Sequence, residues 1–199
     1  TIEENCEIAD VLGDSVDLIE LNISCPNVKQ GGVAFGTNPD TVYEITSRVK
    51  EHCRVPLIVK LSPNVTDITA IAKAAEKGGA DALSLINTIL GMKIDVRTKK
   101  PVLANNVGGL SGPAVKPVAV RMVWQVSKVT DLPIIGMGGI MNGEDAAEFL
   151  LAGATAVAVG TANLIQPTAS LDVKNQLTAY LVKNNIADVN DIIGGVIEW

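Results

Sequence analysis

The chain has 199 residues, of which 47% are apolar and 19% charged, a balance that builds a globular core and leaves no disordered tail to explain. A formal charge of −6, with aromatics at only 3%, excludes a basic nucleic-acid face and the stacking platforms that single strands require. The three cysteines form no disulfide framework and have no metal-ligand spacing, and the one histidine, His52, makes a histidine-based metal site or triad an unpromising reading.

A reducing, cytoplasmic setting is therefore expected. No signal peptide and no apolar run of the ~20 residues that span a bilayer is read in the sequence, so neither a membrane nor a nucleic acid is expected as a partner.

Thr1–Leu12 is apolar at Ile2, Cys6, Ile8, Ala9 and Leu12, which predicts a helix; no start signal is read for it, and the sequence is expected to open partway through a fold. A strand–helix unit then recurs. Strand Val16–Ile23 precedes helix Asp40–Cys53, and strand Pro56–Leu61 precedes helix Asp67–Lys77 with Thr66 as its expected cap. Strand Ala82–Ile86 leads through a long loop to helix Lys116–Val129, strand Pro133–Met137 to helix Glu144–Leu151, and strand Ala156–Val159 to helix Leu171–Asn184, with a last turn near Val189–Ile193. His52 falls near a helix C-terminus, where a solvated or dipole-compensating role suits it.

The joints repeat as well. Lys77-Gly78-Gly79-Ala80-Asp81-Ala82-Leu83-Ser84 parallels Leu151-Ala152-Gly153-Ala154-Thr155-Ala156-Val157-Ala158, and Val55-Pro56-Leu57-Ile58-Val59 parallels Leu132-Pro133-Ile134-Ile135-Gly136. Alternating strand and helix of this kind is the signature of a parallel sheet. Five such units do not close a barrel of eight parallel strands, so the α/β architecture is either an open sheet or the last five units of a (β/α)8 TIM barrel. The helical opening favours the barrel, with residues 1–199 forming one domain and three N-terminal units absent.

The residues that carry chemistry fall at the strand ends. The first strand runs into Asn22-Ile23-Ser24-Cys25-Pro26-Asn27, where a thiol sits among amide side chains able to hydrogen-bond a polar ligand. A solitary free cysteine is usually a small buried hydrophobe; the flanking cluster is what assigns Cys25 a functional role. Lys60 ends the second strand, and a lysine in so apolar a run is costly unless it meets an anion or a partner, although a rim lysine can also snorkel to solvent.

Asn87-Thr88 ends the third strand and, with Asn22 and Asn27, assembles groups that could read a small planar molecule rich in C=O and N–H. Gly108-Gly109-Leu110-Ser111-Gly112 precedes a helix, Gly136-Met137-Gly138-Gly139 ends the fourth strand and Gly160-Thr161 the fifth. Any single pair of these glycines reads as a tight turn. Two such stretches after the last two strands instead suit a phosphorylated cofactor. The charged stretch Lys93–Lys100 reads as a solvated excursion.

These residues resemble the dihydroorotate dehydrogenases. The most specific match is Asn22-Ile23-Ser24-Cys25-Pro26-Asn27, supported by Val59-Lys60-Leu61-Ser62-Pro63-Asn64, Ile86-Asn87-Thr88, Gly108–Gly112, Met137–Ile140 and Val159-Gly160-Thr161. The continuation Val28-Lys29-Gln30-Gly31-Gly32 is similar to the class 1B branch. The resemblance implies an FMN-containing barrel that oxidises dihydroorotate to orotate in de novo UMP synthesis.

On that resemblance Cys25 is the catalytic base and Asn22, Asn27, Asn87 and Thr88 hold the substrate. Asn22, Lys60, Ile86, Ser111, Gly112, Gly138, Gly139, Gly160 and Thr161 hold the FMN, and no metal is bound. Electrons are expected to reach NAD⁺ through an iron–sulfur flavoprotein subunit carrying FAD and a 2Fe-2S cluster, with the chain in a homodimer inside a heterotetramer. The family's first third, with a further lysine and a pyrimidine-binding loop, is absent from the sequence. Other readings are a fumarate-linked class 1A enzyme, a dihydropyrimidine dehydrogenase-like FMN oxidoreductase, or a non-enzymatic phosphate-ligand binding module.

Overall fold

The computed structural model describes residues 1–24 and 35–199. In chain order its elements are helix α1 (Ile2–Leu12), strand β1 (Ile19–Asn22), α2 (Pro39–His52), β2 (Leu57–Lys60), α3 (Ile68–Lys77), β3 (Ala82–Leu85), β4 (Ile89–Gly91), β5 (Ile94–Asp95), β6 (Lys100–Pro101), β7 (Gly108–Leu110), α4 (Lys116–Ser127), β8 (Ile134–Met137), α5 (Gly143–Leu151), β9 (Ala156–Ala158), α6 (Thr161–Ile165) and α7 (Ala169–Lys183). Five of the strands form one sheet in the order β1-β2-β3-β8-β9, every neighbouring pair parallel. Parallel neighbours taken in chain order, each pair bridged by a helix, are consecutive units of a (β/α) barrel.

Strand alternation gives this sheet two different faces. Ile19, Leu21, Leu57, Val59, Leu83, Leu85 and Ile134 are buried in one continuous apolar core with Val42, Ile45 and Val49 of α2, Ile71 and Ala75 of α3, Val123 and Val126 of α4 and Phe149 of α5. The opposite face carries Glu20, Asn22, Lys60 and Ser84, which are not part of that core. Asp81 ties two units together at the lower edge: its carboxylate accepts from the Leu57 backbone N–H at 2.6 Å and pairs with Lys50 of α2.

The repeated joints share one hydrogen-bond pattern. After α3, Gly79 N–H donates to Glu76 C=O and Ala80 N–H to Ala75 C=O; after α5, Gly153 N–H donates to Leu150 C=O and Ala154 N–H to Phe149 C=O. Both are Schellman caps, and both put a glycine in the left-handed region that the motif demands, at φ +93° and +110°.

Several expectations need correction. Helix α1 does carry a start signal: Thr1 caps it, its hydroxyl accepting from Glu4 N–H at 3.2 Å while the Glu4 carboxylate reaches back to the Thr1 amino group, a capping box. Helix α3 is capped by Asp67, whose carboxylate accepts from Thr69 N–H at 2.9 Å, and not by Thr66. The stretch after β3 is not a plain loop, because β4 pairs antiparallel with β7 and β5 with β6, making two ribbons that leave Met92, Ile94, Val96 and Val102 exposed. Gly160 and Thr161 do not end a strand; β9 stops at Ala158 and Thr161 opens α6. Elsewhere the element ends differ by a few residues, as at β1, which begins at Ile19 and not Val16. Among the described residues no helix is long and apolar enough to cross a membrane.

Phe149 fixes how α5 lies on the sheet. Its ring is fully buried and fills the space over β8 where a Cβ on Gly136 would come within 2.7 Å of it. Phe149→Ala is expected to cost about 3–5 kcal/mol, the range for deleting a buried aromatic ring. It should appear as a lower urea midpoint at unchanged slope.

Candidate functional site

Parallel strands deliver their C-terminal ends to one edge, and there the loops enclose a cleft of about 590 Å³. Lys60, Ile86, Asn87, Thr88, Ser111, Gly112, Gly138, Gly139, Gly160 and Thr161 all line it. Asn22 is not among the lining residues but is bonded to Asn87, which is. Cys25 and Asn27 lie outside the described residues.

An amide cluster joins the ends of β1 and β3. Asn87 Nδ2 donates to Ser24 Oγ at 2.8 Å and to Asn22 Oδ1 at 3.2 Å, and Ser24 Oγ–H donates to the same Asn22 oxygen at 3.0 Å. Asn87 Oδ1 turns back to accept from Thr88 N–H at 2.8 Å. Each amide is thus oriented by its neighbours, which presents a fixed pattern of donors and acceptors to the cleft. Asn64, after β2, braces the other side: its side chain donates to Thr88 C=O at 3.0 Å and accepts from Leu90 N–H at 2.9 Å.

The wall made by the segment after β8 rests on a buried acid. Asp145, 7% exposed, accepts from Met141 N–H at 2.8 Å and from Lys116 Nζ at 2.5 Å, while its own N–H is capped by Asn142 Oδ1 at 2.9 Å. Lys116 also donates to Glu148 at 2.7 Å. Gly139, at φ +83°, packs so closely on this support that a Cβ would come within 2.7 Å of Gly112 C=O and 2.9 Å of Lys116 Cβ. Across the cleft Thr161 Oγ1–H donates to Ser111 Oγ at 2.9 Å, and open space lies where a Gly160 side chain would be. The rim is therefore mostly backbone with two hydroxyls, a surface that an anion can approach closely. The floor is apolar, from Ile86, Val115, Met137 and Val159.

A family model described as dihydroorotate dehydrogenase matches residues 1–181. The chain belongs to the dihydroorotate dehydrogenase family. It is 61% identical over 197 residues to the protein named dihydroorotate dehydrogenase B (NAD(+)), catalytic subunit, of Alkaliphilus metalliredigens, covering 98% of this chain and 65% of that one. The protein of the same name from Alkaliphilus oremlandii is 62% identical over 195 residues, with 98% and 65% covered. The crystal structure of DHODH in complex with ferulenol from Eimeria tenella matches the fold with a TM-score of 0.83 at 27% identity, covering 98% of this chain and 57% of that one. The chain thus spans about 65% of the length of these curated relatives, and its five βα units are a portion of the family's (β/α)8 barrel.

Two residues at the cleft have no site role in the sequence analysis, Glu20 and Ser84. Glu20 lines it and accepts from Lys60 Nζ at 3.1 Å; Ser84, fully buried behind it, donates to the other Glu20 oxygen at 2.8 Å. No local pattern marks Glu20, whose partners come from two other strands. Cys6 and Cys53 do not line the cleft, and burial pushes both thiols up from their ordinary value. His52 ends α2 with its ring at 2.8 Å from the Asp10 carboxylate.

The hydrogen bonds that Lys116 donates to Asp145 and Glu148 hold its ammonium above the usual lysine value, with burial opposing them. The folded value is raised, so this contribution to stability is complete below the unfolded value of about 10.4 and disappears as pH rises through the folded one. Lys116→Met is expected to lose about 2 kcal/mol near neutral pH. The gap to wild type, measured by chemical denaturation, should narrow as pH rises through the raised folded value of Lys116.

Proposed function

We propose that this chain is the cofactor- and pyrimidine-binding portion, folded as one domain over residues 1–199, of an enzyme that oxidises (S)-dihydroorotate to orotate in de novo UMP synthesis. The observation that carries the reading is the convergence on a single cleft of Lys60, Asn87, Thr88 and the glycine rim, drawn from four separate strand ends, in a member of the dihydroorotate dehydrogenase family.

The cleft suits FMN. Its volume of about 590 Å³ lies in the range of ligand sites, its floor is apolar enough for a ring system, and its rim offers backbone N–H groups to a phosphate. Asn22, Lys60, Ile86, Ser111, Gly112, Gly138, Gly139, Gly160 and Thr161 would hold it. Bound FMN supplies an acceptor for a hydride, which no side chain can be.

The chain's own residues do the rest. Oxidation removes a proton from one ring carbon of dihydroorotate and a hydride from its neighbour, leaving a carbon–carbon double bond. Cys25 Sγ takes the proton, a thiol whose ordinary value near 8.5 lets it act as thiolate once partly ionised. Asn22, Asn27, Asn87 and Thr88 hold the pyrimidine by its C=O and N–H groups. Lys60 stabilises the negative charge that accompanies reduction.

The electrons then pass to NAD⁺ through a partner flavoprotein bearing FAD and a 2Fe-2S cluster, with the catalytic chains as a homodimer within a heterotetramer in the cytoplasm. The name of the relatives, dihydroorotate dehydrogenase B (NAD(+)), catalytic subunit, supports this choice over a fumarate-linked one.

The full-length protein should show a flavin band near ~450 nm that bleaches when dihydroorotate is added without oxygen. A flavin that stays oxidised would move the substrate to another pyrimidine, and a folded full-length protein without flavin would end the reading. Cys25→Ala is expected to lower kcat by about 10²–10⁴-fold, the usual worth of a positioned base, with flavin content unchanged. Lys60→Ala should chiefly weaken FMN binding and slow its reduction.

A further inference from the structure

The cleft contains a charge arrangement that the functional reading above does not use. Lys60 and Ser84 stand side by side in register on β2 and β3, and Glu20 lies on β1 two pairs lower, opposite Ile58. Both oxygens of the Glu20 carboxylate are engaged: Oε1 accepts from Lys60 Nζ at 3.1 Å and Oε2 accepts from Ser84 Oγ–H at 2.8 Å. The side chains of Lys60 and Glu20 are 21% and 33% exposed, so water screens this pair only in part. Ser84 is fully buried and does not line the cleft, which leaves it no route to a bound molecule except through Glu20.

A carboxylate held at both oxygens has one orientation, and the ammonium that donates to it inherits that orientation. The same carboxylate offsets part of the positive charge that Lys60 presents to the cleft. Packing alone does not call for this arrangement, since a half-buried ion pair stabilises a fold little over apolar residues of similar volume.

Resting on the FMN reading given above, we propose that Glu20, anchored by Ser84, is a positioning residue that sets both the place and the effective charge of Lys60 toward the ring of a bound flavin. A positive charge beside the ring favours the reduced, negatively charged form. Glu20 therefore holds the flavin's reduction potential below the value that Lys60 alone would give.

The test is made on the full-length, FMN-loaded protein by spectroelectrochemical titration. Glu20→Gln keeps the shape and the bond from Lys60, reverses the one with Ser84, whose Oγ would accept from the new amide N–H, and removes the charge; it should shift the oxidised–reduced equilibrium about tenfold toward the reduced form, about 30 mV for a two-electron couple. In a Lys60→Met background the same substitution should produce no shift. An unchanged midpoint in Glu20→Gln overturns the proposal, and so does an equal shift in both backgrounds, which would mean that Glu20 acts on the flavin directly.

Ser84→Ala supplies an independent readout should Glu20→Gln fail to fold: it should weaken FMN binding, followed by fluorescence, several-fold at unchanged thermal midpoint of the apoprotein, and unchanged affinity counts against the proposal. A wild-type protein that binds no flavin would end the functional reading together with this one. A wild type that binds flavin normally, beside variants that behave like it, would end this one alone.

Discussion

Everything at this cleft depends on a sheet whose two faces are given different work. The parallel strands bury Leu21, Val59, Leu83 and Leu85 beneath the helices, and because side chains alternate, the residues between them must face the other way. A parallel sheet is normally apolar on both faces. Here the second face places a carboxylate, an ammonium and a hydroxyl in mutual contact across three strands. The helices can bear the whole hydrophobic load on one side, which frees the other for chemistry.

The same division shapes the rim. Gly138 and Gly139 leave backbone exposed toward the cleft, and that exposure is tolerable only because the segment is held from behind. Asp145 serves three donors and acceptors of its surroundings at once, through Met141 N–H, Lys116 Nζ and, by its own N–H, the Asn142 side chain. A charge this deeply buried is stable because it is paired and fully hydrogen-bonded. The support is thus electrostatic where the sheet's outer face is hydrophobic.

The order of strands and helices was legible because long apolar periodicities and the glycine-bearing joints at Gly79 and Gly153 both point to repeated βα units. The strand-end motifs were legible because polar residues interrupt apolar runs at Lys60 and Asn87. Glu20 was not, since a glutamate alternating with apolar residues reads as a solvent-facing strand position; its partners lie 40 and 64 residues away, beyond any local pattern. The ribbons were missed because strands of two or three residues are too short to show a period. The Thr1–Glu4 capping box is legible in its three-residue spacing. Cys25 and Asn27, which lead the sequence argument, lie outside the described residues.

The two walls of the cleft are anchored unequally, and this ranks how they open. The wall after β8 is held by a buried ion pair and several backbone bonds. The ribbon wall is secured at its root by Asn64, through Thr88 C=O and Leu90 N–H, and from there outward its side chains Met92, Ile94 and Val96 are bare. Segments with few buried contacts have the lowest local unfolding free energies. In amide exchange the outer ribbon, Met92 to Val102, would therefore lose protection long before Ile134–Met137.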